Sequence, residues 1–111
     1  DTDAMALTDT THTGRLLAAH AGKHLKKTFL ELGGSNPFII LPDADLQRAA
    51  IDACYSRFRD AGQSCNAAKR IIVTQDIAEQ FIPLFLAECA KLQTGNPKDP
   101  NTTLAPLHRQ D

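Results

Sequence analysis

Apolar and polar positions follow three different rhythms along this chain. Met5 to Thr8 is a short mixed stretch that reads as a strand. From Thr13 to Lys27, Leu16, Leu17, Ala21 and Leu25 recur near one face, which predicts a helix. Gly22 lies inside that stretch and costs up to ~1 kcal/mol relative to alanine, so the helix should break or end there. Thr28 to Leu32 reads as a strand, and Gly33 to Pro37 as a loop by composition. Phe38 to Leu41 is an unbroken apolar run, the pattern of a strand buried on both faces.

Further along, Asp45 is a good helix N-cap. Leu46, Ala49, Ala50, Ala53, Cys54 and Arg57 follow at helical spacing and carry a helix to about Phe58. Ala61 to Cys65 reads as a turn, and the β-branched run Arg70 to Thr74 as a strand. Asp76 is then expected to cap a helix bearing Phe81, Leu84, Phe85, Cys89 and Leu92, kinked by Pro83 and ended by Gly95-Asn96-Pro97. The tail to Asp111 reads as irregular. The order β, α, β, β, α, β, α predicts a layered α/β fold with parallel strand pairing.

Composition narrows the function by exclusion. A net charge of −1 and a pI near 6.5 argue against a nucleic-acid or acidic-membrane surface. The basic group Lys23, His24, Lys26 and Lys27 sits where the first helix should end, and cations suit that end of the helix dipole. Three cysteines at wide spacing form no disulfide framework, which points to reduced thiols in a cytoplasmic compartment. No apolar run reaches membrane-spanning length, and the N-terminus lacks a basic-then-apolar leader. That it does not begin with Met suggests that something precedes it.

Two segments carry chemistry. Leu30-Glu31-Leu32-Gly33-Gly34-Ser35-Asn36-Pro37 strongly resembles the glutamate motif of aldehyde dehydrogenases. Gly62-Gln63-Ser64-Cys65-Asn66-Ala67-Ala68-Lys69-Arg70 resembles their cysteine motif. The two reactive residues are 65 − 31 = 34 positions apart, the separation usual in that family. Asp43-Ala44-Asp45-Leu46 and Gly95-Asn96-Pro97 match two further family elements, so the likeness spans nearly the whole chain. Within the family, Ala21-Gly22 through Leu25-Lys26-Lys27, Leu30 to Phe38 and Ala67-Ala68-Lys69-Arg70 resemble succinate-semialdehyde dehydrogenases most.

That resemblance implies an NAD- or NADP-dependent oxidation of a small aldehyde to its acid. A thiol with a pKa of ~8.5 is mostly protonated at neutral pH, so such a site must activate its cysteine. Cys65 would attack the carbonyl to give a thiohemiacetal; hydride transfer would leave a thioester; Glu31 would activate the water that hydrolyses it. The Cys65 N–H would help hold the oxyanion. Thr8, Thr10, Leu32 and Gly33 would line the cofactor. Residues 1–30 would end a Rossmann-like cofactor domain and 31–111 would begin a catalytic domain, in a longer and homo-oligomeric parent.

The chain departs from the family turn Thr-Gly-Ser-x-x-x-Gly at Thr8 to Gly14, where Asp9 replaces glycine. Glycine lets the backbone approach a dinucleotide closely, and a carboxylate repels pyrophosphate, so Asp9 should weaken cofactor binding. Blander roles suit other residues. Cys54 and Cys89 read as core packing, and the four histidines lack metal-ligand spacing, so no metal site is expected. Gly33 and Gly34 are also simple turn residues. Arg70 either anchors the local loop by hydrogen bonding or is an exposed strand-start residue. The alternative to a working enzyme is a truncated or degenerate piece that acts only as a binding module. A cysteine hydrolase would need a Cys-His pair that no motif supports.

Overall fold

The computed structural model describes residues 2–109. The chain divides between Gly34 and Ser35 into two compact units.

The first unit is a β-α-β motif. β1 (Ala4–Thr8) and β2 (Lys27–Glu31) pair in parallel, with Thr8 opposite Glu31 at their C-terminal ends. α1 (Thr11–Lys23) connects them. Its N-cap is Thr10, whose hydroxyl accepts from the Thr13 N–H at 3.2 Å. The helix ends just beyond Gly22, as expected, in a Schellman arrangement: Lys26 N–H donates to Ala21 O and Leu25 N–H to Gly22 O. Leu25 takes the left-handed position usually given to glycine, at φ 53°. It therefore lies outside the helix and is 94% exposed, contrary to its expected place on the apolar face. Leu16 is exposed as well; Ala21 and Gly14 form the buried side.

The second unit opens with β3 (Asn36–Ile40), which pairs in parallel with β4 (Ala68–Val73) across α2 (Leu46–Phe58). Asp45 caps α2 as its sequence predicts, accepting from Arg48 N–H at 3.1 Å. A single 3-10 turn, Arg59–Gly62, follows. α3 (Gln75–Cys89) closes the unit. Ile40, Ala50, Ala53, Ile77 and Phe81 form the core, with Phe38, Ile71 and Val73 packed against it.

Three expectations need correction. β3 is buried on one face only: Phe38 and Ile40 point to the helices, whereas Ile39 and its β4 partner Ile72 are 59% and 46% exposed. Both helices of this unit contact β4, on the face where Phe38 and Ile40 join the core. The N-cap of α3 is Thr74, not Asp76; its side chain makes no capping bond, and Asp76 instead sits in the first turn, where the dipole favours it. α3 also ends at Cys89, before Gly95. The tail then folds back, with Thr103 Oγ1 accepting from Gln93 N–H and a parallel bridge between Thr94 and Leu104. Pro83 lies within α3, which continues through it to Cys89.

Candidate active site

In the first unit the predicted residues gather at the C-terminal ends of β1 and β2. Thr8 and Glu31 are direct neighbours in the strand register. Thr10, two residues after Thr8, is the N-cap of α1. Leu32 packs on the buried Gly14 of α1, so closely that a Cβ at position 14 would stand 2.7 Å from Leu32 Cδ2. Gly33 faces open space. The Thr11 and His12 N–H groups have no partner among the described residues, so the N-terminus of α1 is open to an anion. The ends of parallel strands, beside a helix N-terminus, are where open α/β sheets bind dinucleotides.

Asp9 has a local task here. Its N–H donates to the Glu31 carbonyl at 3.1 Å and its carboxylate accepts from Thr10 N–H. Its φ is not positive, so the backbone conformation at this position does not require glycine. What remains of the expected penalty is the bulk and charge of its side chain.

In the second unit Cys65 occupies a tight turn: Ala67 N–H donates to Ser64 O at 3.2 Å, with Cys65 and Asn66 between them. Cys65 is exposed and its thiol is free. Its N–H has no hydrogen-bond partner among the described residues. The turn is braced on all sides. Ser64 Oγ donates to Asn66 Oδ1 at 2.6 Å, and Lys69 Nζ donates to Ser64 O at 3.0 Å. Gln63 donates to Asp60 O at 3.0 Å and accepts from His108 N–H at 2.8 Å.

Leading into the turn, Asp60, Ala61 and Gly62 are all left-handed, at φ 52°, 56° and 74°. Such conformations cost non-glycine residues roughly 1–2 kcal/mol each and collect near functional sites. At Gly62 a side chain has no room: a Cβ there would meet Arg57 O at 2.9 Å.

Arg70 settles its two alternatives in favour of the anchor. Its Nε and Nη2 both donate to Ser35 O, at 3.0 and 2.8 Å, tying the loop before β3 to the strand after Cys65. Glu31 and Cys65 belong to different units, and Glu31 is exposed on the first.

The other thiols are unlike Cys65. Cys54 is buried, and burial, followed by the neighbouring Cys89, pushes its pKa up to about 11. It is held protonated at neutral pH, which suits core packing.

Sequence reading missed two features. A hollow of about 170 Å³ lies beside the turn, lined by Tyr55, Ser56, Arg59, Ser64, Asn66 and Ala67. Arg59 lines it, and its Nε pairs with Asp60 Oδ2 at 3.5 Å. The lysine bond to Ser64 O was missed as well; an exposed lysine in a polar run gives no signal of its target. A larger cavity of about 430 Å³, with Phe58, Leu104, Pro106 and Leu107 in its wall, includes neither Cys65 nor its immediate neighbours.

Comparison with known proteins matches this arrangement to one family. The sequence model of the Aldehyde dehydrogenase family matches residues 1–111. Succinate-semialdehyde dehydrogenase [NADP(+)] 1 of Mycobacterium tuberculosis is 47% identical over 104 residues, covering 94% of this chain and 23% of that protein. Succinate semialdehyde dehydrogenase [NAD(P)+] Sad of Escherichia coli is 44% identical over 108 residues, covering 97% of this chain and 23% of its own length. The chain thus spans about a quarter of the curated relatives it matches. Among solved structures, aldehyde dehydrogenase C of Pseudomonas syringae, a mutant with NAD+ and octanal, superposes with a TM-score of 0.91 at 31% identity. That match covers 97% of this chain and 22% of the other. Gamma-glutamyl-gamma-aminobutyraldehyde dehydrogenase of Burkholderia cenocepacia gives 0.89 at 39% identity, over 93% and 21%.

Proposed function

The chain belongs to the aldehyde dehydrogenase family, and on that premise we propose that it forms part of an enzyme oxidising an aldehyde to its carboxylic acid with NAD or NADP. The observation that carries this reading is the exposed Cys65 on a braced turn, with its own N–H unpartnered, inside the family's cysteine motif. A nucleophile needs access, and the oxyanion it creates needs a donor at the same atom group; the turn supplies both.

In this reading Cys65 Sγ bonds to the aldehyde carbon and the carbonyl electrons move to oxygen, beside the Cys65 N–H. A bound nicotinamide would supply the hydride acceptor. Glu31 takes a proton from the water that cleaves the resulting thioester, and Cys65 leaves as thiolate. Thr8, Thr10, Leu32 and Gly33 would hold the dinucleotide, and the N–H groups at the N-terminus of α1 would suit an anionic group of it. Residues 1–30 are then the end of a cofactor domain and 31–111 the start of a catalytic domain. The complete protein is a cytoplasmic homo-oligomer, and catalysis belongs to it, not to these 111 residues alone.

Succinate semialdehyde is the substrate we favour, because the relatives named above act on it by name. Its far end is a carboxylate, and Arg59, which lines the hollow beside Ser64 and Asn66 and already pairs with Asp60 at 3.5 Å, would have to exchange that partner to bind it.

The test uses the complete enzyme. Glu31→Gln should give a single burst of reduced cofactor and then stall, with turnover down by roughly 10²–10⁴-fold. Cys65→Ala should give no burst at all. A burst that survives Cys65→Ala rejects the assignment.

A further inference from the structure

Lys69 is the least expected member of the Cys65 turn. It is exposed, stands four residues after the cysteine, and yet directs its ammonium back to the Ser64 carbonyl at 3.0 Å. That carbonyl belongs to the same peptide unit as the Cys65 N–H. In a trans peptide the C=O and N–H point in opposite directions. One end of this unit therefore carries a cation, with Ala67 N–H as a second donor, while the other end is unpartnered among the described residues.

Resting on the reading of Cys65 as nucleophile, we propose that Lys69 is a positioning residue that polarises the Ser64–Cys65 peptide and so strengthens its N–H as an oxyanion donor. Hydrogen bonds in a chain reinforce one another, and a charged donor at the carbonyl draws electron density away from the N–H. The effect appears when the Sγ–C bond forms and the carbonyl π electrons become an alkoxide. It persists until that alkoxide re-forms C=O and the hydride passes, with its electron pair, to the oxidised nicotinamide dinucleotide. No proton moves to or from Lys69. Ser64 Oγ also donates to Asn66 Oδ1 across the turn, a contact in which Lys69 takes no part.

The size of the effect follows from its parts. One oxyanion donor is worth about 10²–10³ in rate, and reinforcement of roughly 10–30% of that gives about two- to eightfold.

The experiment compares two reactions of Cys65 in the complete enzyme. The first is the single-turnover burst of reduced cofactor with aldehyde, which passes through an oxyanion. The second is alkylation by iodoacetamide, followed by mass spectrometry of the Cys65 peptide. Alkylation displaces iodide at a methylene carbon and builds no oxyanion. K69M should slow the burst two- to eightfold, leave alkylation unchanged and leave the aldehyde KM unchanged. K69Q keeps a donor without the charge and should resemble K69M; K69R should recover most of the burst. An unchanged burst in K69M, or an equal fall in burst and alkylation, overturns the proposal while leaving Cys65 as nucleophile. No burst in the unmodified enzyme, or one that survives Cys65→Ala, overturns both.

Discussion

The two units present opposite ends of their strands. In the first, Thr8 and Glu31 terminate β1 and β2, so the candidate residues lie at the C-terminal edge. In the second, Ser35 and the Cys65 turn stand just before β3 and β4, at the N-terminal edge. The difference explains how each site is built. A C-terminal edge flows directly into a helix N-terminus, so backbone N–H groups are available without special side chains. An N-terminal edge offers no such dipole. The cysteine turn is instead held by side chains from several places: Arg70 on Ser35 O, Lys69 on Ser64 O, Gln63 on Asp60 O. It also requires three successive left-handed residues.

That contrast can be broken by substitutions confined to one unit, each made in the complete enzyme. The largest effect should come from Phe81→Ala. Phe81 is 2% exposed at the centre of the second core, so its loss should cost about 3–5 kcal/mol in denaturant unfolding. Dinucleotide affinity measured while the protein is still folded should not change; a parallel loss of affinity would show that the cofactor edge depends on the second core. Gly62→Ala comes next. The φ of 74° and the close Arg57 carbonyl predict about 2 kcal/mol of destabilisation, together with altered alkylation of Cys65. Wild-type stability there would mean the turn relaxes freely.

Asp9→Gly acts on the other edge. Removing one charge about 4 Å from a phosphate is worth ~1 kcal/mol in water, or about fivefold tighter dinucleotide binding. The burst at saturating cofactor should stay constant, and titration calorimetry that finds equal affinity removes Asp9 from the cofactor account. The smallest effect concerns pH. Cys54 is held protonated in the folded state, with its pKa pushed from 9.0 to about 11. The unfolded chain therefore releases this proton first. The stabilising contribution is complete below pH 9 and is lost as pH rises towards 11. Cys54→Ser should flatten that part of the stability curve, as read by denaturant unfolding across that pH range.

Much of the fold was legible because local chemistry and tertiary packing agree. Asp45 is followed by a helical apolar pattern, and it caps α2. Gly22 lies where α1 does end. Where they disagree, packing decided. Ile39 looked like core because its neighbours are core, but the helices cover one face of the strands only. Asp76 looked like a cap, yet the chain turns into α3 two residues earlier. Leu92 continued a helical spacing that had already ended, because an apolar residue looks alike on a helix and in a packed tail.

Family membership and the choice of candidate reactive pair were legible from residue types and spacing alone. Glu31, Cys65 and their separation of 34 positions are properties of a string, since the proposed chemistry demands a carboxylate and a thiol whatever surrounds them. Which groups brace the thiol was decided only in three dimensions. Arg70 reaches a carbonyl 35 residues away, and Lys69 turns back onto the peptide of the cysteine. Hydrogen bonds to backbone carbonyls read position, not residue type, and every residue has a carbonyl to offer.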